Sequence, residues 1–430
     1  MAYPYTHGSE VRILSKGWGD PRARTLEGWK ELGGYKGLAR ALELGREGVV
    51  DTVKASGLRG RGGAGFPTGL KWSFMPKEKG GPHYLCCNAD ESEPGTFKDR
   101  ELMRWTPHQL VEGCLIAAYA IQADHAYIYC RGEFCEANLV LARAVEEAYE
   151  AGLAGDDILG SGVSIDVTVH QGAGAYICGE ETALMESLEG RRGLPRIKPP
   201  FPAAVGVFGR PTTVNNVETL AAAVHIVRNG PDWYRQWGTE KSPGTKLFCV
   251  SGHVRRPGNY ELPMGFPMNE LIEDVCGGLH DGRRLKAVIP GGASVPIMNA
   301  EECDGCELHY EGVVERGSML GCASVIVMDD STNIVKQVRR MVDFFAHESC
   351  GQCTPCREGT TWLSRVLLRI EKGQGTEQDL ETLIDLSKQM TGTTICVLSD
   401  SAAAPVVSSI QKFKEDYLSL IRRGKAVGAA

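Results

Sequence analysis

Apolar and polar positions follow two different periods along the first half of the chain. A loose helical pattern over residues 42–54 lies in a first segment that otherwise reads as irregular. Short apolar runs predict buried strands at residues 83–87, 125–130 and 164–169. Longer amphipathic stretches predict helices near residues 108–121, 135–151 and 180–188. Strands alternating with helices predict a layered α/β domain.

The pattern changes near residue 246. A strand at 247–254, a turn at 256–258 and a second strand at 260–262 are followed by a helix near 269–275. Further strands are predicted at 285–289 and 324–328. This β-β-α-β order is typical of a small β-grasp, ubiquitin-like module.

The last hundred or so residues carry helical stripes. Apolar side chains recur at helical spacing in three stretches, which include Val338, Leu363 and Leu380. A fourth helix is predicted from about 401 to 421, with Asp400 or Ser401 as its cap. Four helices with short links predict a bundle.

These changes in pattern divide the chain into four predicted parts. They are an N-terminal extension, an α/β domain, the β-grasp module and a helical bundle with a C-terminal tail, at residues 1–56, 57–240, 241–332 and 333–430. A net charge of −7 gives no broad basic surface, so nucleic acid is not an expected partner. No apolar run approaches the roughly 18 residues of a membrane-spanning helix.

Four cysteines in the predicted bundle are spaced like metal ligands. Cys350, Cys353 and Cys356 share one loop, and Cys396 lies on a second loop that enters the fourth helix. Four thiolates arranged in this way suit a [4Fe–4S] cluster. Structural zinc, the alternative, usually takes two separated CxxC pairs. Both loops are predicted to lead into helix starts, whose unpaired N–H groups suit an anionic cluster.

Glycines are concentrated at residues 60–65, where the sequence matches GxGxxG. A dinucleotide fingerprint of this kind should follow a strand and open a helix. Here the preceding residues look helical, and residues 66–68 do not look like a helix opening, so an ordinary Rossmann site is not expected. Four glycines in six residues nevertheless allow the backbone to approach a flat ring or a phosphate closely.

Five motifs occur in an order that identifies a family. They are the glycine-rich stretch 57–72, NADESEPG at 88–95, GAGAYICGEE at 172–181, KPPFP at 198–202 and ESCGQCTPCRE at 348–358. Together they resemble the NADH-binding flavoprotein subunit of respiratory complex I, and the likeness covers residues 33–417. It implies a Rossmann-like α/β flavin domain, a β-grasp module and a four-helix bundle carrying the iron–sulfur cluster.

The resemblance assigns residues to FMN. It implies that Gly60, Gly62, Gly63 and Lys71 line the cofactor. In the family pattern, Asn88, Asp90 and Glu91 lie at the ribityl and phosphate region or at an intervening water. Asn215 and Asn216 lie on the other side of the cofactor, and Glu180 faces it.

The same resemblance assigns residues to NADH. Phe66, Phe74 and Phe201 would stack on the adenine, which offers a flat apolar face. Glu93 and Tyr176 would lie near the nicotinamide and position it for hydride transfer, and Lys198 near the phosphates. Glu181 would face the nucleotide. Because a carboxylate accepts from a ribose 2′-OH and repels a 2′-phosphate, Glu181 is predicted to favour NADH over NADPH.

The resemblance implies an NADH dehydrogenase subunit with FMN and one [4Fe–4S] cluster as cofactors. Hydride would pass from NADH to FMN, and single electrons would pass to the cluster and on toward quinone. No acid–base residue is required for hydride transfer, so no catalytic residue is predicted. The implied partners are a thioredoxin-like [2Fe–2S] subunit and a large iron–sulfur subunit. The expected location is cytoplasmic, at the inner face of the membrane and bound to it only through the assembled complex.

Two alternatives remain open. Diaphorase subunits of NAD-linked hydrogenases and formate dehydrogenases share these motifs. They often carry an added iron–sulfur domain, for which this chain begins too near its glycine loop and ends too soon after Cys396. A zinc-stapled nucleotide-binding scaffold is the alternative from another class. Cys303 and Cys306 form a CxxC without a second pair, so two free thiols are predicted there.

Overall fold

The computed structural model describes residues 6–428. The first five residues of the predicted N-terminal extension and the last two of the predicted C-terminal tail lie outside this range. The chain forms two compact units. The first contains the described residues up to Ser92, with Thr96–Cys249 and Gly258–Phe266, and the second contains Glu93–Gly95, Val250–Pro257 and the rest from Pro267 onward.

The first unit is built from helices and a parallel sheet. Its helices are α1 Leu26–Glu31, α2 Lys36–Ser56, α3 Thr68–Trp72, α4 Asp99–Trp105, α5 Pro107–Ala120, α6 Cys135–Glu150, α7 Glu181–Leu188, α8 Val217–Asn229 and α9 Pro231–Tyr234. Its strands are β1 Tyr84–Ala89, β2 His125–Cys130, β3 Asp166–Gln171, β4 Thr212–Asn216 and β6 Gly258–Pro263, and β5 Thr245–Gly252 runs on into the second unit.

Four of these strands form one sheet in the order β3-β2-β1-β4. The neighbouring strands pair in parallel, and the sheet with its helices gives the layered α/β domain that the alternation predicted. Strand β2 has the predicted bounds, whereas β3 lies two residues later than the predicted 164–169. Helix α5 is buried along its whole length, because its apolar residues surround the helix and leave no polar face.

The N-terminal segment forms part of the core of the first unit. The side chains of Trp29, Leu38, Val49 and Val53 are almost completely buried in that core. Helix α2 is longer than the pattern at 42–54 predicted, and its backbone breaks at Gly45, where φ is +73°. The expectation of an irregular segment was therefore wrong for these residues, because packing extends a helix that sequence periodicity only partly reveals.

The second unit contains short strands and a series of helices. The strands are β7 Phe266–Pro267, which begins in the first unit, β8 Leu285–Ile289, β9 Met298–Asn299, β10 Glu307–Leu308 and β11 Ser324–Asp329. The helices before the C-terminal region are α10 Met268–Glu270, continued by a π-helical turn to Val275, α11 Ala300–Cys303 and α12 Tyr310–Glu315. β8 pairs antiparallel with both β11 and β9. The predicted helix and two strands are present, and β9, β10, α11 and α12 are additions within the long link from β8 to β11.

Five helices follow in the C-terminal region. They are α13 Ile334–Glu348, α14 Thr354–Glu371, α15 Gln378–Met390, α16 Leu398–Lys412 and α17 Lys414–Gly428. Their apolar stripes meet in one core that includes Val338, Leu363, Leu383 and Tyr417. Within the described range, no helix combines the length and apolar character needed to cross a membrane.

The prediction of the fourth helix was wrong in two respects. The stretch forms two helices that break at Phe413, although the apolar stripe continues across the break. The cap is Val397, and neither Asp400 nor Ser401 occupies that position. The helix begins before Asp400, whose carboxylate instead accepts a hydrogen bond from the backbone N–H of Gly392 at 3.1 Å.

Candidate functional site

The glycine loop, residues 60–65, lies between α2 and α3 in the first unit. The backbone N–H of Gly60 donates to the carbonyl of Phe66 at 2.8 Å, which closes the loop. A Cβ atom added to Gly62 would lie 2.9 Å from the Cβ of Asn216. The absence of a side chain there thus brings bare backbone against β4. A helix does open at Thr68, so the expectation for residues 66–68 was wrong, although α3 is only five residues long.

Three asparagines lie at the carboxyl ends of two adjacent parallel strands. Asn88 on β1 pairs in register with Asn216 on β4, and Asn215 is next to it. The strand order reverses between β1 and β4, and open α/β sheets bind ligands at such a switch point. The Asn215 Oδ1 accepts from the Trp72 indole at 2.8 Å, and the Asn88 amide donates to the Gly179 carbonyl at 2.8 Å.

The acidic run after β1 divides into different roles. The Glu91 carboxylate accepts hydrogen bonds from the backbone N–H groups of Lys98, Asp99 and Arg100, at 2.8 to 2.9 Å, where α4 begins. Burial, together with the nearby Asp99, raises the pKa of Glu91 to about 7. This capping role was not foreseen from the sequence. The Asp90 carboxylate is buried and accepts from the Ser92 hydroxyl at 3.0 Å.

Glu93 belongs to the second unit. There its carboxylate accepts a hydrogen bond from the backbone N–H of Ser294 at 2.8 Å. Tyr176 begins a short 3₁₀ turn, Tyr176–Gly179, which precedes α7 in the first unit. The positions of these two residues near a nicotinamide remain a prediction.

Two lysines and two glutamates form a chain of ion pairs at the start of α7. Glu181 pairs with Lys71 at 3.1 Å and with Lys198 at 3.0 Å, and Lys198 also reaches Glu180 at 3.4 Å. Glu180 caps α7 through the backbone N–H groups of Thr182 and Ala183. Burial alone would raise the pKa of Glu181, but the two lysines outweigh it and hold that pKa below its usual range.

Three aromatic side chains predicted to bind adenine are exposed. Phe66, Phe74 and Phe201 expose 45%, 55% and 60% of their surface, although large apolar side chains are usually buried. The rings of Phe66 and Phe74 lie 6.1 Å apart between centroids. Exposed apolar rings of this kind are available to a flat ligand.

The two cysteine loops meet in the second unit. Cys353 is the N-terminal cap of α14, and Cys396 directly precedes Val397, the cap of α16, so both loops lead into helix starts as predicted. The backbone N–H of Ile395 donates to the Cys353 sulfur at 3.4 Å. Burial raises the pKa of the Cys356 thiol, and the neighbouring Cys350 and Cys353 raise it further.

The donor set and the adjacent loops fit an iron–sulfur cluster held by thiolates. Among the side chains that the structure describes, no group of three or more His, Cys, Asp or Glu is close enough to hold a single metal ion. Cys303 and Cys306 form no disulfide, and both are buried.

Charged residues beneath the glycine loop were missed by sequence reasoning. Lys98, Glu218 and Lys246 are completely buried, and both lysines pair with the glutamate. Isolated lysines usually indicate solvated surface, so nothing in the sequence pattern distinguishes these two.

The matches to family models agree with this geometry. The Nuo51 FMN-binding domain matches residues 53–225, the iron–sulfur binding region of NADH-ubiquinone oxidoreductase-F matches residues 336–420, and an SLBB domain matches residues 246–327. The fold and the site therefore define an FMN-binding iron–sulfur protein with a mixed α/β fold.

Similar curated proteins identify the family more narrowly. The chain is 51% identical over 419 residues to the F subunit of NADH-quinone oxidoreductase from Mycobacterium bovis, a match that covers 96% of this chain and 94% of the relative. It is 53% identical over 409 residues to the F 1 subunit of the same enzyme from Rhizobium meliloti, covering 95% and 94%. The chain belongs to the family of F subunits of NADH-quinone oxidoreductase.

A solved structure is also similar. An NAD⁺-reducing [NiFe]-hydrogenase in the air-oxidized state matches with a TM-score of 0.83 and 37% sequence identity, over 96% of this chain and 67% of that chain. The family expected from the five motifs is confirmed, as are FMN, a [4Fe–4S] cluster and NADH as its cofactors and substrate. The chain is an NADH dehydrogenase flavoprotein subunit.

Proposed function

We propose that FMN is held by the glycine loop and the carboxyl ends of β1 and β4. The observation that carries this proposal is the contact distance at Gly62, where only a hydrogen atom fits beside Asn216. Gly60, Gly63 and Lys71 would complete one side of the cofactor. The other side would be formed by Asn88, Asp90, Glu91, Glu180 and Asn215. FMN, when bound, accepts two electrons together as hydride and releases them singly.

NADH would bind on the face that exposes Phe66, Phe74 and Phe201. These rings offer apolar surface to the adenine, and they leave apolar area exposed to water when no ligand covers them. Lys198 would meet the phosphates. Tyr176 would hold the nicotinamide in the orientation for hydride transfer, and the assignment of Glu93 to the nicotinamide rests on the family resemblance alone. The protein would contribute position and exclusion of water rather than a proton.

Glu181 would select NADH over NADPH. Its carboxylate holds both Lys71 and Lys198, so a change at this position removes a negative charge and releases two cations toward a 2′-phosphate. We expect Glu181→Gln to raise kcat/KM for NADPH by about tenfold or more, while kcat/KM for NADH falls or stays level.

Glu186→Gln is the control for this experiment. Glu186 lies on the same helix and pairs with Arg191 and Arg196 instead of the two lysines. Its substitution should leave the preference between the two nucleotides unchanged. Equal discrimination in wild type and Glu181→Gln would refute the role of Glu181.

Cys350, Cys353, Cys356 and Cys396 would ligate the cluster. The contact between Ile395 and the Cys353 sulfur supports this assignment, because it brings the second loop against the first. Anaerobic titration with NADH, followed by absorption and EPR, tests the whole proposal. We expect flavin bleaching and a [4Fe–4S] signal in the same titration, and a colourless zinc protein would end it.

The finer architecture and the assembly are also part of the proposal. Residues 241–332 would form a β-grasp module, and the helices after residue 333 a four-helix bundle around the cluster, with α17 as the added fifth helix. The chain would act in the cytoplasm, at the inner face of the membrane. Its partners would be a thioredoxin-like [2Fe–2S] subunit and a large iron–sulfur subunit that carries electrons toward quinone, the acceptor in the names of the relatives.

A diaphorase of a NAD-linked hydrogenase is the second candidate. The high structural similarity to the NAD⁺-reducing hydrogenase favours it. The two candidates share FMN, NADH and the cluster, so kinetics of the isolated chain do not separate them. Purification of the native complex and measurement of its nickel content do: nickel in proportion to FMN supports the hydrogenase, and its absence with quinone reduction supports the first candidate.

A further inference from the structure

Five charged side chains are buried beneath the glycine loop of the first unit. Arg61, Lys98, Asp99, Glu218 and Lys246 are each at most 3% exposed. Glu218 lies at the centre, with its Oε2 2.8 Å from the Lys98 ammonium and 3.1 Å from the Lys246 ammonium. Its Oε1 accepts from the backbone N–H of Leu247 at 2.9 Å. We call the five charged residues the buried charge network.

One end of the network holds the glycine loop. The Lys246 ammonium donates to the backbone carbonyl of Arg61 at 3.2 Å, and the backbone N–H of Arg61 donates to the Thr219 hydroxyl at 2.8 Å. The Arg61 guanidinium donates to the Tyr234 hydroxyl at 2.8 Å and to the Pro243 carbonyl at 2.9 Å. The residue between Gly60 and Gly62 is therefore fixed at its N–H, its carbonyl and its side chain.

The other end holds the strand that faces the loop. Asp99 lies 2.8 Å from the Lys98 ammonium through its Oδ1 and accepts from the Asn216 amide at 2.6 Å through its Oδ2. The backbone N–H of Glu218 also donates to Asp99, at 3.2 Å. A continuous series of contacts therefore runs from the Arg61 carbonyl through the network to the Asn216 side chain.

Stability alone does not explain this arrangement. Burying ions has a large desolvation cost, and well-packed apolar residues of the same size are often as stable or more stable. What such a network supplies is a defined geometry, because each hydrogen bond limits where its partners can lie. Burial would raise the pKa of Glu218, but Lys246, Lys98 and Arg61 outweigh it and lower that pKa to about 2. Glu218 is thus fully ionised at neutral pH.

We propose that the buried charge network fixes the spacing between the Arg61 peptide of the glycine loop and the Asn216 side chain, and that Lys246 is a positioning residue for FMN. This inference rests on the proposed FMN site and adds residues that do not touch the cofactor. Asn216 and Gly62 pack against each other at that site, so a shift of one relative to the other weakens FMN binding even when the fold is intact.

The test uses the full-length chain stripped of FMN. Fluorescence quenching gives the Kd for FMN, and urea denaturation gives the free energy of unfolding. We expect Lys246→Met to raise the Kd for FMN by about tenfold or more, since a buried hydrogen bond from a charged group is lost. The double variant Lys246→Met/Glu218→Gln removes both members of this ion pair, and its Kd for FMN should be raised as in the single variant, whatever its stability.

Glu112→Gln is the matched control. Glu112 is also a completely buried carboxylate of the first unit. It accepts hydrogen bonds from the Trp29 indole and the backbone N–H groups of Tyr35 and Leu38. This variant should lose stability and keep its affinity for FMN. Should Lys246→Met fail to fold, the double variant alone decides.

Each outcome has one meaning. A Kd for FMN that rises in step with the loss of stability in all the variants, Glu112→Gln included, shows that the network only stabilises the fold, and overturns the inference. A wild-type chain that binds FMN, with variants that bind equally well, overturns the inference and leaves the proposed site standing. A wild-type chain that binds no FMN overturns the proposed site itself.

Discussion

The glycine loop of the first unit and the cysteine loops of the second are held in different ways. Arg61 is fixed by Thr219 and Lys246, which lie 158 and 185 residues further along the chain. The first cysteine loop has contacts between near neighbours: the Ser349 hydroxyl contacts the Cys356 sulfur at 3.2 Å, and Arg357 donates to the Gly351 carbonyl at 2.7 Å. A locally built site can change its ligand atoms with little effect elsewhere, whereas a site built from distant segments depends on its whole unit.

The largest expected effect breaks the proposed cluster site of the second unit. Cys396→Ser removes one thiolate ligand, so we expect loss of the [4Fe–4S] signal in EPR with FMN binding retained. Cys303→Ser is the control, because that thiol is buried in the same unit and outside the two loops. An unchanged cluster signal in Cys396→Ser would assign the fourth ligand elsewhere, and loss of FMN as well would contradict the difference between the sites.

The second prediction concerns acid stability of the site built from distant segments. The folded pKa of Glu218 is about 2, below the unfolded value of about 4.5. Its contribution, about 3 kcal/mol, is therefore present above the unfolded pKa and lost as pH falls toward the folded pKa. We expect urea denaturation between about pH 5 and about pH 2.5 to show a flatter pH dependence for Glu218→Gln than for wild type.

The effect of Glu112 on the pH dependence of stability should have the opposite sign, which urea denaturation extended to about pH 8 would show. Burial raises the pKa of Glu112, so its contribution is present below the unfolded pKa and is lost as pH rises through the folded pKa. Glu112→Gln should therefore change the pH dependence in the reverse direction. Parallel pH profiles for wild type and both variants would rule out the assigned protonation states.

The third prediction concerns the close contact in the glycine loop. Gly62→Ala places a Cβ 2.9 Å from the Asn216 Cβ, and such overpacking costs about 1 to 3 kcal/mol. We expect the Kd for FMN to rise by about tenfold while the cluster signal is unaffected. Gly80→Ala is the control, because nothing lies within 4 Å of its added Cβ. Equal affinities in both variants would show that the loop tolerates a shift.

The smallest expected effect concerns the exposed rings. Phe201→Ala removes one stacking surface, worth about 1 kcal/mol, so KM for NADH should rise by about fivefold with kcat unchanged. Phe208→Ala is the control: that ring is 52% exposed in the same unit, and it packs edge-on against Tyr84. If both variants raise KM alike, exposure alone does not identify the adenine site.

The contrast between contacts of near neighbours and contacts of distant segments also explains which features the sequence could predict. The cysteine spacing and the glycine motif are local signals, and strand β2 was predicted to the residue because its apolar run is local too. The Glu91 carboxylate binds backbone N–H groups seven to nine residues further along, at the start of α4. The capping pattern that can be recognised in a sequence joins residues about three apart, so it does not predict this contact.

Other features depend on contacts between distant segments. Lys246 and Lys98 pair with Glu218 from far apart in the chain, and the break at Phe413 has no glycine or proline beside it to indicate it. Such features arise from tertiary packing, which single-sequence patterns do not encode.

Several residues assigned to ligands also begin helices. Glu180, Asn216 and Cys353 occupy the cap positions of α7, α8 and α14. At Glu180 and Asn216 the side chain itself caps the helix, so the residue must belong both to the types that suit the cofactor and to the types that start a helix, whereas the Cys353 side chain makes no capping hydrogen bond. Only the residue types common to both sets are permitted at Glu180 and Asn216, so alanine substitutions there would confound two losses. Near-isosteric replacements, such as Glu180→Gln, which keeps an oxygen for the cap and removes the charge, are the ones that can separate them.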